Sequence, residues 1–173
     1  MQYAELRNSI LKARQQRWDT LLNMADNLEK GCIVTIAGNC AGAVKDSPVL
    51  RELITHAEKH MAQDANALTI GSYGDAAGYI VFMRSSLKTA QAKEKAVAIE
   101  SSFEWNRLLD IDIYGKKGSP ADRSAMGLAP RRCLLCGEPA ADCIRTQRHD
   151  YCDIIAETER LLKGFQRACT GAH

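Results

Sequence analysis

Apolar residues recur at helical spacing between residues 4 and 30, at Leu6, Ile10, Leu11, Trp18, Leu21, Leu22 and Leu28. That spacing predicts an amphipathic first helix, and Gly31 is well placed to end it. CIVTIAG (32–38) then reads as a short apolar strand, and it runs into the small-residue loop NCAGAVKDS with Lys45 near its end. Ser47 and Pro48 are the N-cap and first residue expected of a second helix, whose inner face is Leu50, Leu53, Ile54, Ala57 and Met61 and whose end falls near Gln63. ALTIGSY and YIVFM are strand-like runs around GDAAG, a turn composition suited to a hairpin. From Ser86 to about Ser101 strong helix formers dominate and predict a third helix, although Ala96 to Ile99 also suits a strand.

RLLDIDIY (107–114) predicts a further strand and GKKGSPADRS a polar turn. A cysteine-rich knot follows from Pro130 to His149, and Asp150 begins a last amphipathic helix through Ile154, Ile155, Leu161, Leu162 and Phe165. No repeat or low-complexity segment interrupts the order. The expected fold is a single α+β domain over residues 1–173, a small mixed sheet of about four strands packed by helices, with a C-terminal Cys-rich knot and helix.

Composition narrows this picture. The chain has 173 residues, 46% of them apolar, enough for one domain with its own core. No run reaches the roughly eighteen apolar residues of a membrane span. The charged start MQYAELRNSILKARQQR lacks signal-peptide features, so a cytoplasmic location is expected. A formal charge of +2 is too small to argue for nucleic acid or membrane as a partner, but arginines cluster between Arg123 and Arg148. The seven cysteines are an odd number, and Cys133, Cys136, Cys143 and Cys152 crowd into twenty residues. Metal binding or reduced thiols fit that pattern better than a disulfide scaffold.

Asp110 and Asp112 alternate with Leu109, Ile111 and Ile113, so in a strand both carboxylates share one face while the apolar residues share the other. Two like charges about 7 Å apart at Cα raise each other's pKa unless a cation lies between them. Mg²⁺ held by carboxylates and substrate phosphates is the common solution. A half-exposed strand with an acidic solvent face is the plain alternative. Arg107 three residues upstream as a phosphate contact, and Glu100 ten residues upstream as ligand or base, favour a phosphate site.

In the knot, Cys133-x2-Cys136-x6-Cys143-x5-His149 suits a structural three-sulfur, one-nitrogen zinc site, with Gly137 allowing a tight knuckle turn. Reduced thiols packed as small hydrophobes suit the spacing equally. Arg131, Arg132 and Arg145 are candidate phosphate contacts on this knot. Gly42, Lys45 and Ser47 form a weak version of a phosphate loop, since no Gly-Lys-Ser/Thr run is present, and a simple strand-to-helix connection is the more frequent explanation.

Three motifs carry a resemblance over nearly the whole chain: GAVKDSPVLR (42–51), NRLLDIDI (106–113) and PRRCLLCGEPAADCIRTQRH (130–149), preceded by a helix with LKARQQR. They resemble the apo-citrate lyase phosphoribosyl-dephospho-CoA transferase family, also called holo-citrate lyase acyl-carrier-protein synthases. The resemblance implies transfer of a 5-phosphoribosyl-dephospho-CoA group from 2'-(5''-triphosphoribosyl)-3'-dephospho-CoA to a serine of the apo-citrate lyase acyl carrier subunit. Pyrophosphate would leave, as in nucleotidyltransferase chemistry, and a nucleotidyltransferase-like fold is expected by analogy alone. It also implies Mg²⁺ on Asp110 and Asp112, phosphate at Arg107, and the triphosphate or dephospho-CoA part at Lys45. Asn106 and Ala43 depart from the family's glycine and proline. Two other readings stay open: the same transfer to a malonate decarboxylase carrier, and a zinc-knuckle binding module without catalysis.

Overall fold

The computed structural model describes residues 3–42 and 45–171; Ala43, the departure from the family's proline, lies outside them. Helix α1 (Tyr3–Asp26) leads to strand β1 (Cys32–Gly38), helix α2 (Pro48–Asp64), the hairpin of β2 (Ala67–Asp75) and β3 (Gly78–Ser85), and helix α3 (Thr89–Ser102). Strand β4 (Leu109–Tyr114), the short helix α4 (Ala140–Thr146) and the long helix α5 (Tyr151–Thr170) complete the chain.

The periodicities account for most of this order. Ser47 caps α2, its Oγ accepting the Leu50 N–H at 3.3 Å, with proline at the helix start where the missing N–H costs nothing. Gly31 (φ 84°) makes the turn into β1 at a point where a Cβ would sit 2.0 Å from the Ser85 carbonyl oxygen. Helix α3 forms through residues 96–99, so the strand alternative there is not realised. Three short elements were not legible: a 3₁₀ turn over Glu104–Leu108, which takes Arg107 out of the strand, another over Ser124–Met126, and α4 inside the cysteine knot.

The sheet order is β2-β3-β1-β4, and every pairing is antiparallel rather than mixed. The reason is topological: α2 carries the chain past the neighbouring position, and the hairpin inserts β3 between β1 and β2, so no two strands of like direction touch. Helix α1 covers one sheet face with Leu21, Ala25 and Leu28 on Ile33, Ile80 and Phe82. Helices α2, α3 and α5 cover the other, burying Val34, Ile36, Val81, Met83, Leu109, Ile111 and Ile113. Each such side chain contributes roughly 1.5–3 kcal/mol when fully buried. Asp110 and Asp112 therefore stand on the α1 side, beyond the cover that α1's apolar residues provide.

Candidate functional site

Strand β4 is an edge strand, and a row of polar groups, Glu100 and Lys93 among them buried, holds its free edge. Glu100 of α3 accepts the Ile111 N–H at 2.9 Å, Lys93 donates to the Ile111 carbonyl at 3.1 Å, Arg131 donates to the Leu109 carbonyl at 2.8 Å, and the Ala121 N–H donates to the Ile113 carbonyl at 2.9 Å. Glu100 is only 5% exposed and is neutralised by Arg123 and by Arg131 at 2.6 Å. Glu100, which the sequence offers as ligand or base, thus stands with both oxygens committed to neighbouring donors.

The two aspartates are 48% and 45% exposed at their side chains and face a cleft of about 570 Å³ between β4 and the 120–131 segment. Arg131 comes within 3.3 Å of Asp110 Oδ1, and the buried Lys93 within 3.6 Å of Asp112 Oδ1. The other oxygen of each carboxylate has no partner among the described residues. Burial and then the neighbouring Asp110 charge push the Asp112 carboxyl upward, and Lys93 only partly opposes this. The same field reaches Tyr114: burial, then Asp112 and Asp110, push its hydroxyl up to about 12. A second hollow, about 450 Å³, reaches the aspartates from the α1 side. Arg14 and Arg17 line it; Arg17 is engaged by Asp75 at 2.6 Å, while Arg14 pairs with nothing among the described residues. The donor set suits a divalent cation: two adjacent carboxylates, each with one oxygen uncommitted, over a cleft rimmed by cations.

Cys133, Cys136, Cys143 and His149 bring one ligand atom each within 4.8 Å of one another, and among the described residues they are the one such group of three or more metal-ligating side chains. Cys136 Sγ lies 3.5 Å from Cys143 Sγ and 3.3 Å from His149 Nε2. The edges of a tetrahedral zinc site with these donors are about 3.5–3.8 Å, so these two separations are near such edges and the donor set suits zinc. Gly137 (φ 75°) makes the knuckle turn, as its place in the sequence suggests. The backbone at Glu138, with Cys143 and His149 beside it, draws the Cys136 thiol down to about 6, toward the thiolate a metal needs. All seven cysteines are free thiols, and burial pushes Cys32 and Cys40 up to about 11, which marks them as packing residues.

The remaining candidates are dispersed. Arg107 donates to the Cys133 carbonyl and leans on the knuckle, away from the aspartate cleft. Arg132 donates to the Gly137 carbonyl at 3.3 Å, and Arg145 is an exposed partner of Asp142 at 3.2 Å. Lys45 donates to the Cys40 carbonyl at 2.7 Å, Gly42 donates its N–H to the Tyr151 hydroxyl at 2.8 Å, and Ser47 is engaged as the cap. None of Gly42, Lys45 or Ser47 lines either hollow beside the aspartates. Asn106 is buried, donating to the Ile99 carbonyl at 2.8 Å and to Ser102 Oγ at 2.9 Å, so it closes the last turn of α3. Lys93, Arg123 and Arg14 were not singled out from the sequence. Lys93 was the most accessible of them, since it stands seven residues before Glu100 on the helix face that also buries Ala92, Ala96 and Ile99.

The fold thus brings together an edge-strand carboxylate pair flanked by arginine and lysine and, joined to it through Arg131, a Cys₃His cluster. Residues 6–165 match the apo-citrate lyase phosphoribosyl-dephospho-CoA transferase family, and the chain belongs to that family. A probable apo-citrate lyase phosphoribosyl-dephospho-CoA transferase of Streptococcus pyogenes serotype M18 is 26% identical over 165 residues, 91% of this chain and 85% of the relative. The apo-citrate lyase phosphoribosyl-dephospho-CoA transferase of Escherichia coli O1:K1 is 31% identical over 131 residues, 70% of this chain and 69% of that one. Protein CitXG of Leuconostoc mesenteroides subsp. cremoris is 25% identical over 164 residues, 92% of this chain but 35% of that longer protein. Among the described residues, no helix is long and apolar enough to cross a membrane.

Proposed function

We propose that this chain transfers the 5-phosphoribosyl-dephospho-CoA group from 2'-(5''-triphosphoribosyl)-3'-dephospho-CoA to a serine of the apo-citrate lyase acyl carrier subunit, releasing pyrophosphate. The observation that carries the reading is the half-exposed Asp110–Asp112 pair, opening on a cleft whose wall holds Lys93, Arg123 and Arg131, in a chain of this family. The serine hydroxyl attacks the phosphorus nearest the ribose, and the bond from that phosphorus to the departing pyrophosphate breaks in line with it. The hydroxyl proton leaves to a carboxylate of the pair.

Mg²⁺ held by Asp110 and Asp112 would supply charge neutralisation for the triphosphate and the leaving pyrophosphate. Arg131, fixed by Glu100 and by the Leu109 carbonyl, presents its guanidinium beside Asp110 and is placed to steady the transferred phosphoryl oxygens. Arg14, the uncommitted cation across the pair, is placed to take the far end of the triphosphate. Lys93 offsets part of the upward push that burial and Asp110 exert on the Asp112 carboxyl. Zinc in the Cys₃His cluster would have all four positions filled by protein and would hold the fold without chemistry of its own.

The test mixes purified protein, Mg²⁺, triphosphoribosyl-dephospho-CoA and the apo-citrate lyase carrier, and reads the carrier's intact mass together with released pyrophosphate. A gain of one phosphoribosyl-dephospho-CoA with equimolar pyrophosphate is expected. An unmodified citrate lyase carrier beside a modified malonate decarboxylase carrier would redirect the acceptor, and neither modified would end the transferase reading.

A further inference from the structure

Beyond the aspartates lies a third cavity, about 670 Å³, bounded by the 39–41 loop, the cysteine knuckle and the start of α5. We infer that this cavity binds the dephospho-CoA end of the donor, with its pantetheine arm against the aliphatic wall and its diphosphate at the arginines. The inference rests on the proposed transfer reaction and assigns a part of the substrate that the aspartate cleft does not account for.

Position is the first argument. The β1–β4 register ends at the Gly38–Leu109 pair, one step beyond Ala37–Asp110, and the Asn39 N–H extends it by donating to the Leu108 carbonyl at 2.7 Å. The cavity opens just past that point. Two residues join it to the aspartates: Asn39 also lines the hollow on the α1 side, and Arg131 also lines the aspartate cleft. A ligand in the cavity is therefore one side chain away from Asp110, to which Arg131 is paired at 3.3 Å.

Chemistry is the second. Leu134, Leu135, Ile144 and Ile154 supply an aliphatic wall, and Ile144 is 77% exposed although it belongs to a folded knuckle. Asn39 and Gln147 offer amides of the kind that pair with the two amides of a pantetheine arm. Arg107, Arg131 and Arg132 line the cavity and share a smaller adjoining hollow, so they form a cationic group that a diphosphate with two negative charges would meet. A purine is a poorer occupant, since the two rings among the lining residues are both engaged: the Tyr151 hydroxyl accepts the Gly42 N–H, and His149 Nε2 lies 3.3 Å from Cys136 Sγ. The arrangement also gives the knuckle a reason to be where it is: the turn that gathers the metal ligands builds half of the cavity wall.

Isothermal titration with dephospho-CoA and with ADP, which is dephospho-CoA without its pantetheine arm, tests this on wild-type protein and on Ile144→Ser. The variant removes apolar surface and no charge, and its zinc content and melting temperature are measured beside the wild type. Dephospho-CoA is expected to bind wild-type protein about tenfold more tightly than ADP, and Ile144→Ser to remove most of that advantage while ADP binding stays unchanged. Equal affinity of wild-type protein for the two ligands overturns the inference whatever the variant does. Unchanged dephospho-CoA binding in Ile144→Ser overturns it as well. The carrier-mass assay keeps the two claims apart: transfer by wild-type protein with no pantetheine advantage sinks only the cavity assignment. The predicted binding pattern without transfer sinks only the reaction.

Discussion

Asp112, in the proposed reaction a carboxylate of the site, also bears on stability. Its carboxyl is raised by burial and by Asp110, so the folded state holds that proton more tightly than the unfolded chain does. The contribution of Asp112 to stability is therefore full below the ordinary aspartate value of 3.8 and is lost as pH rises through the raised folded value. Replacing it by asparagine removes a charge that burial and Asp110 disfavour. Asp112→Asn is expected to melt about 1–4 °C higher than wild type near pH 7 and no higher near pH 3, while transferring nothing. The gain stays small because the side chain is 45% exposed and water screens it. A melting temperature below wild type at pH 7 would mean that Lys93 outweighs the repulsion. The alternation of Asp110 and Asp112 with Leu109, Ile111 and Ile113 was readable in the sequence because strand side chains alternate strictly. Lys93 was not, because a lysine on a helix is exposed far more often than it is buried against a strand edge.

At the scale of elements, α3 and β4 behave as one unit, joined by Glu100 and Lys93. Glu100→Ala would leave Arg123 and Arg131 without their common partner and the Ile111 N–H without an acceptor. The expected cost is about 3 kcal/mol, a fall of roughly 6–12 °C in melting temperature, read by calorimetry. A loss of transfer with an unchanged melt would instead make Glu100 a participant in the chemistry. The long elements were legible through their apolar period, and α2 through Ser47 and Pro48 as well. The 3₁₀ turn at Glu104–Leu108 was hidden because Arg107 and Leu108 continue the apolar-rich run of β4, and only the buried Asn106, bonded back to Ile99, breaks the strand there. Helix α4 was hidden because it carries a candidate metal ligand, Cys143, inside a segment whose cysteine spacing is the stronger signal.

For the whole molecule, the antiparallel sheet supplies the rigid base; Leu161 and Phe165 bury α5 in its core, and arginines tie the knuckle to it. Arg131 ties to β4, and Arg107 ties to the Cys133 carbonyl. Zinc is expected at about one ion per chain by elemental analysis. Cys136→Ser is expected to lose most of it and to raise the KM for the donor with the sheet still folded, because Arg131, Arg132 and the cavity wall depend on the knuckle. Full zinc in that variant, or a zinc-free wild type with normal donor binding, would return the cluster to ordinary packed thiols. Sequence motifs named the family because they are local; the juxtaposition of the knuckle with the aspartate edge is set by long-range packing, which no local pattern encodes.

The claim on which the rest depends is that the Asp110–Asp112 edge is where transfer happens. Its most direct test is the rate of carrier mass gain for wild-type protein and Asp110→Asn, side by side at saturating donor, with both shown folded by their melts. Wild-type protein should modify the carrier, and Asp110→Asn should be slower by at least about a hundredfold. Equal rates in the two proteins would contradict the account and move the reaction to another part of the fold.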